Sequence, residues 1–156
     1  MTAEPSDAIE RVWREQGAKL WRSLVAFAGD RELASDAMAE AFAQALGRGA
    51  GVREQDRWIW RASFRIAAGE LKERGVAVSG SGPREGVADM PEPVADLVRA
   101  LGTLSPNQRA AVILRLYADL PTREVARILG CTQATVRVHL TQAKRRLRPL
   151  LEDDDA

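Results

Sequence analysis

The stretch that most restricts this chain is Leu120 to Leu150, LPTREVARILGCTQATVRVHLTQAKRRLRPL, which reads as two helices joined by a tight turn. Val125, Ala126, Ile128 and Leu129 recur at helical spacing and are followed at once by Gly130, a residue that tolerates the left-handed conformation that ends a helix. Thr132 is placed to cap the next helix through its hydroxyl. Val136, Leu140, Ala143 and Leu147 then return at intervals of four, three and four, so that helix has a single buried face. A rotation of about 100° per residue puts Arg137, Val138, Thr141, Lys144, Arg145 and Arg148 on the opposite arc. No acidic residue occurs between Val125 and Leu151. A cationic arc on the second helix of such a pair suits the major groove of B-DNA.

Charge is segregated along the chain. The formal net charge is only +1, yet residues 122–151 hold Arg123, Arg127, Arg137, Lys144, Arg145, Arg146 and Arg148 against the single carboxylate Glu124, and Glu152 to Asp155 are all acidic. The basic patch is therefore local, and the partner it implies is a polyanion. No apolar run approaches the roughly 20 residues that span a bilayer, and the start, MTAEPSDAIERVW, lacks a charged-then-apolar leader. A cytoplasmic protein with no membrane insertion is expected. The single cysteine, Cys131, excludes an internal disulfide and reads as a small residue tucked under the turn. An enzyme is disfavoured: His139 is the only histidine, and there is no phosphate-binding glycine loop or metal-ligand spacing, so no catalytic, metal or cofactor site is expected. His139 itself falls at the margin of the second helix's buried face.

Strand signals are almost absent and helical periodicity recurs throughout, so the expected fold class is all-α. Ser6 or Asp7 can cap a first helix with Val12, Trp13, Leu20, Leu24 and Phe27 along one side before Gly29. Asp30 can cap a second, whose buried side holds Leu33, Ala37, Met38, Ala41, Phe42, Ala45 and Leu46 until Gly47. Gly47 to Asp56 reads as an irregular loop, and Arg57 to Arg74 as a third helix. The stretch from Gly75 to Pro93, GVAVSGSGPREGVADMPEP, is rich in Gly, Ser and Pro and reads as a flexible linker. Helix resumes at Val94 to Leu101 and again at Ser105, where Ser105, Pro106 and Gln108 supply a cap, a first-turn proline and a capping-box partner for a helix through about Tyr117. The expected plan is thus two small helical domains, residues 1–74 and 94–151, joined by a linker at 75–93 and followed by an acidic tail at 152–156.

Nearly the whole chain resembles the extracytoplasmic-function group of bacterial sigma factors, the minimal two-domain form of the sigma-70 family. Leu104, Ser105 and Pro106, then Thr135, Val136 and Arg137 in the second helix of the pair, match the family's C-terminal pattern. Asp36, Glu40 and Phe42 match its Asp-x-x-x-Glu-x-Phe pattern, and Trp58, Ile59, Trp60 and Arg61 its Trp-hydrophobic-aromatic-Arg pattern. The resemblance implies a promoter-specificity subunit of RNA polymerase. It implies −35 contacts from the C-terminal domain, with Thr132, Gln133, Arg137, Val138, His139, Thr141, Lys144, Arg145 and Arg148 as candidates. It further implies −10 contacts from Trp60, Arg61 and Arg65, docking of Asp36 and Glu40 on the β′ clamp helices of core polymerase, and room for an anti-sigma protein as a further partner. The chain departs from the family at Ala39, where glutamine is usual, and at Gly69 to Glu73, where arginines are usual. Pro121 stands where a serine cap is usual.

The residues support parts of this independently. Trp58 and Trp60 cannot point the same way on one helix, so if Trp58 anchors the core, Trp60 is left beside Arg61 and Arg65 at a surface where an unstacked base could lie. Asp36 and Glu40 sit one turn apart on one face, an acidic pair suited to a basic partner surface. A stand-alone helix-turn-helix regulator with a sensing or dimerising N-terminal domain is the alternative that the sequence leaves open.

Overall fold

The structure, a computed structural model, describes residues 4–75 and 92–152, which form seven α-helices and no strand. They are α1 (Pro5–Ala28), α2 (Arg31–Arg48), α3 (Gln55–Glu73), α4 (Glu92–Gly102), α5 (Pro106–Val112), α6 (Thr122–Leu129) and α7 (Gln133–Glu152). A 3-10 turn, Gly49–Gly51, precedes α3, and a π-helical turn, Ile113–Tyr117, prolongs α5. Most of the expected linker, 76–91, and the end of the tail, 153–156, lie outside the described residues.

The helix boundaries follow from local chemistry. α1 begins one residue earlier than its expected caps: Pro5 takes the first helical position with Glu4 before it, and Ser6 and Asp7 lie inside the first turn. A proline at that position is favoured because its missing N–H is one of the donors a helix start leaves unpaired anyway. Gly29, at φ 67°, ends α1 with its N–H on the Val25 carbonyl, and Asp30 caps α2 by accepting from the Leu33 N–H at 3.0 Å. α5 starts at the full capping box expected of Ser105 and Gln108. Its far end is not regular α-helix. The Ala118 N–H reaches back five residues to the Ile113 carbonyl at 2.9 Å, and the chain leaves through Asp119 at φ 58°. Asp is one of the few side chains that tolerates that conformation.

α1, α2 and α3 pack into one bundle, α4 to α7 into another, and the two bundles pack against each other, α1 against α4 and α5 and α3 against α6. A single apolar cluster runs through both, from Ile9, Leu20, Leu24, Phe27, Leu33 and Ile59 to Val98, Leu104, Leu114, Val125 and Val136. The Arg109 guanidinium, buried in the second bundle, lies 5.1 Å from the centre of the Phe27 ring in the first. Two residues expected in the core sit outside it. Trp13 is 54% exposed and meets Phe42 edge-on at 5.0 Å, and Leu46 is exposed near the end of α2.

Asp30 joins two elements: it caps α2, and its other carboxylate oxygen is 3.4 Å from Arg74 at the end of α3. Replacing Asp30 with Ala should cost about 1–2 kcal/mol of unfolding free energy in urea titrations, and Asp30→Asn, which keeps the cap acceptor, distinctly less. Equal losses for the two variants would mean that the capping bond contributes nothing.

Candidate nucleic-acid interface

The end of α6 is closed by backbone bonds. Gly130 adopts φ 70°, its N–H reaches the Arg127 carbonyl at 3.3 Å, and the Cys131 N–H reaches the Ala126 carbonyl at 3.0 Å. These two bonds form a Schellman motif, which satisfies the last carbonyls of α6 and turns the chain sharply. The Thr132 hydroxyl then accepts the Thr135 N–H at 3.1 Å, the cap expected for α7. Pro121 precedes α6 without a side-chain cap, so the fixed proline backbone alone sets its start.

The same turn fixes which face of α7 is free. Val136 and Ala143 are fully buried, and Leu140 and Leu147 pack against the core from half-buried positions. Gln142 accepts from Gln108 at 2.9 Å, and Arg146 donates to the Thr103 carbonyl at 3.3 Å, two polar ties that hold α7 to α5 and to the end of α4. Gln133, Arg137, Val138, Thr141, Lys144, Arg145 and Arg148 are all exposed. None of the basic residues among them forms an ion pair with a described residue, so the arc presents unneutralised charge outward. Two candidates are partly engaged at home. Thr132 uses its hydroxyl as the cap, and Thr141 donates its own to the Arg137 carbonyl at 2.9 Å. His139 is half-buried with Nδ1 enclosed and unpaired, which leaves Nε2 as the nitrogen that can meet a ligand.

On α3 the expected orientation of the tryptophans is reversed. Trp60 is 4% exposed, donates from Nε1 to the Gln16 side chain at 2.8 Å and stacks on Phe64, whereas Trp58 is half-buried at the margin with the Arg48 guanidinium 5.3 Å from its ring. The reason is periodicity. Trp60, Phe64, Ala67 and Leu71 recur at intervals of four, three and four and claim the core face, while Trp58, Arg61 and Arg65 share the face that leads outward. That pattern is legible in the sequence, and it makes Trp58, in place of Trp60, the stacking candidate on α3. Arg61 and Arg65 are exposed as expected.

Asp36 and Glu40 lie exposed on α2, where Glu40 accepts from Gln44 at 3.0 Å. Beside them Trp13, Gly17, Trp21, Ser35 and Ala39 line a shallow opening of about 350 Å3. No group of His, Cys, Asp or Glu among the described residues could hold a metal ion, and no described helix is long and apolar enough to cross a membrane.

Residues 95–147, which contain α5 to the greater part of α7, match the family model "Sigma-70, region 4". The chain is 29% identical to the RNA polymerase sigma-E factor of Streptomyces antibioticus over 94% of its own length and 86% of the relative's. It is 26% identical to the ECF RNA polymerase sigma factor BldN of Streptomyces coelicolor, over 97% of its own length and 63% of the relative's. Its fold matches that of the sigma factor RpoE from Bartonella quintana, solved in complex with the anti-sigma factor NepR, with a TM-score of 0.70 and 20% identity over 92% of this chain and 95% of that one. Over residues 95–147 the chain thus matches the sigma-70 region 4 model, and over most of its length it is similar to sigma factors that include one of the extracytoplasmic-function group.

Because nothing lies within 4 Å of a side chain built at Gly130, a substitution there meets only the backbone penalty of φ +70°. Gly130→Ala should therefore cost about 1–2 kcal/mol, and Gly130→Asn measurably less, in denaturant titrations. If Ala proves neutral, the left-handed turn is not what orients α7.

Proposed function

We propose that this chain is the promoter-specificity subunit of RNA polymerase, a non-enzymatic, cytoplasmic sigma factor that directs core polymerase to its promoters and initiates transcription there. The observation that supports this reading most directly is the acid-free, unpaired cationic arc of α7, held outward by the Gly130 turn in the segment that matches sigma-70 region 4. In this reading residues 94–151 meet the −35 element. Arg137, Val138 and Thr141 face base edges, and Lys144, Arg145 and Arg148, further along the helix, meet phosphates. Residues 1–74 bind core polymerase through the acidic pair on α2 and meet the −10 element through α3, where Arg61 and Arg65 approach the backbone and Trp58 offers its ring to an unstacked base. The likeness to a sigma factor captured with an anti-sigma factor supports a protein inhibitor as a further partner. The decisive experiment is transcription in vitro with core polymerase on a pool of genomic promoters. A defined subset of start sites that appears only when the chain is added is expected, and selection of the same DNA without polymerase would favour a stand-alone regulator.

DNA binding should weaken with salt as counterions are released. Four phosphate or base contacts from Arg137, Lys144, Arg145 and Arg148 give a log–log slope of about −3.6. Arg137→Ala should cost about 1–3 kcal/mol and relax preference at one position if the residue reads a base; equal loss on every sequence would assign it to phosphate.

Reversing the acidic pair, Asp36→Arg with Glu40→Arg, turns two attractions toward a basic partner surface into repulsions. Affinity for core polymerase should fall by at least about tenfold and promoter-specific transcription with it, while helicity by circular dichroism stays at the wild-type level because both side chains are exposed. Wild-type affinity in the double variant would show that the pair is not the docking surface.

A further inference from the structure

Two adjoining openings lie where α3 faces the helix-turn-helix. One, of about 590 Å3, is lined by Arg61 of α3 and by Arg123 and Arg127 of α6, and no carboxylate among the described residues borders it. The other, of about 330 Å3, shares Arg61 and Arg127 with the first and adds Val52, Trp58 and Ile128. Each falls within the range of roughly 300–1,000 Å3 typical of sites for small molecules. The two shared arginines make the openings one track, cationic at the Arg123 end and aromatic at the Trp58 end.

The track gathers more positive charge than its own acids neutralise. Arg53, Arg57, Arg61, Arg123 and Arg127 border it, against only two carboxylates, Glu54 and Glu124. Arg57 engages both of these acids, Glu54 at 3.0 Å and Glu124 at 3.3 Å, and Arg127 has Glu124 at 3.3 Å as well. Arg61 and Arg123 form no ion pair with a described residue. Guanidinium groups brought together without counter-charge repel one another, and a bound anion removes that cost. Their excess over the acids suits a polyphosphate, and the planar fork of arginine matches phosphate oxygens in particular. An inorganic polyanion uses only the cationic end. At the other end the half-buried Trp58 indole, with Val52 and Ile128 beside the same opening, offers an apolar surface on which a heteroaromatic ring can stack. A phosphate chain joined to an aromatic base is a nucleotide.

We propose that this track binds a free nucleoside triphosphate, with Arg61, Arg123 and Arg127 on the phosphates and Trp58 against the base. The inference goes beyond the promoter reading, since neither polymerase nor DNA takes part in the binding. Calorimetric titration of the full chain with adenosine triphosphate, in magnesium-free buffer at about 0.15 M salt, should give saturable binding of one nucleotide per chain. Inorganic tripolyphosphate, which lacks the base, should bind at least about tenfold more weakly, as the loss of one stacked ring predicts. Arg123→Ala should weaken the nucleotide at least about tenfold through lost charge-assisted contacts. Arg11→Ala, which removes the same charge from an exposed position of α1 outside the track, should leave the affinity unchanged. Trp58→Leu should bring adenosine triphosphate down to the affinity of tripolyphosphate without altering tripolyphosphate itself, and Trp58→Phe, which keeps a ring, should restore most of the difference. If Trp58→Leu loses helicity by circular dichroism, Trp58→Phe and Arg123→Ala decide. No saturable binding, equal effects of Arg123→Ala and Arg11→Ala, or tripolyphosphate bound as tightly as the nucleotide would each overturn the proposal. Failure of the wild-type chain to direct transcription with core polymerase would instead overturn the promoter reading and leave the nucleotide titration standing.

Discussion

The packing of the whole molecule depends on the C-terminal end of α1, Ser23 to Ala28, being buried nearly all the way round. Over its first turns α1 is an ordinary amphipathic helix, with Ile9 and Val12 buried and Arg11, Arg14 and Glu15 exposed. From Ser23 to Ala28 nearly every side chain is buried: Leu24, Val25, Phe27 and Ala28 are enclosed, and the Ser23 hydroxyl is donated back to the Lys19 carbonyl. A helix with so wide an apolar surface must be covered on more than one side. α2 and α3 cover one side and α4, α5 and the π-turn the other, which is why one core runs through two bundles.

That shared core explains how other features are placed. Arg109 can be buried because the face of Phe27 receives its guanidinium, and Glu124 can be buried because Arg57 arrives from α3. Both are charges that a free C-terminal bundle would hold nearer to water. The exposed basic face of α7 is unaffected by this union, since α7 is anchored from behind by Gln108 and Thr103 and keeps that arc outward. Only the N-terminal end of α7 is drawn into the cleft with α3.

The proposed function divides the labour between a part that holds polymerase and a part that reads DNA, and the surface chemistry of the chain is divided in a matching way. Carboxylates dominate the exposed face of α2 around Asp36 and Glu40, and guanidinium groups dominate α7 and the outward face of α3. The two signs of charge suit partners of opposite character, a basic protein surface and a polyanion, so each surface repels the other's partner as well as attracting its own.

Local signals were sufficient wherever a residue's role is set by its neighbours in sequence. Asp30, Ser105 with Gln108, Gly130 and Thr132 all cap or turn the chain where their chemistry allows, because those hydrogen bonds close within a few residues. The outward arc of α7 was equally legible from the intervals between Val136, Leu140, Ala143 and Leu147. What sequence alone left undecided are contacts between residues far apart in the chain. Whether Trp58 or Trp60 faces the core was settled by Phe64, Ala67 and Leu71 sharing Trp60's face and by Gln16, on another helix, accepting its indole N–H. Whether the two bundles stand apart or together was settled by the all-round apolar surface at the end of α1, which reads as one more amphipathic helix until a second layer is found to cover it. The sequence by itself determined the helices, their caps and the charge each exposes, since these are local; the tertiary structure decided which faces meet, since burial depends on what the rest of the chain brings alongside.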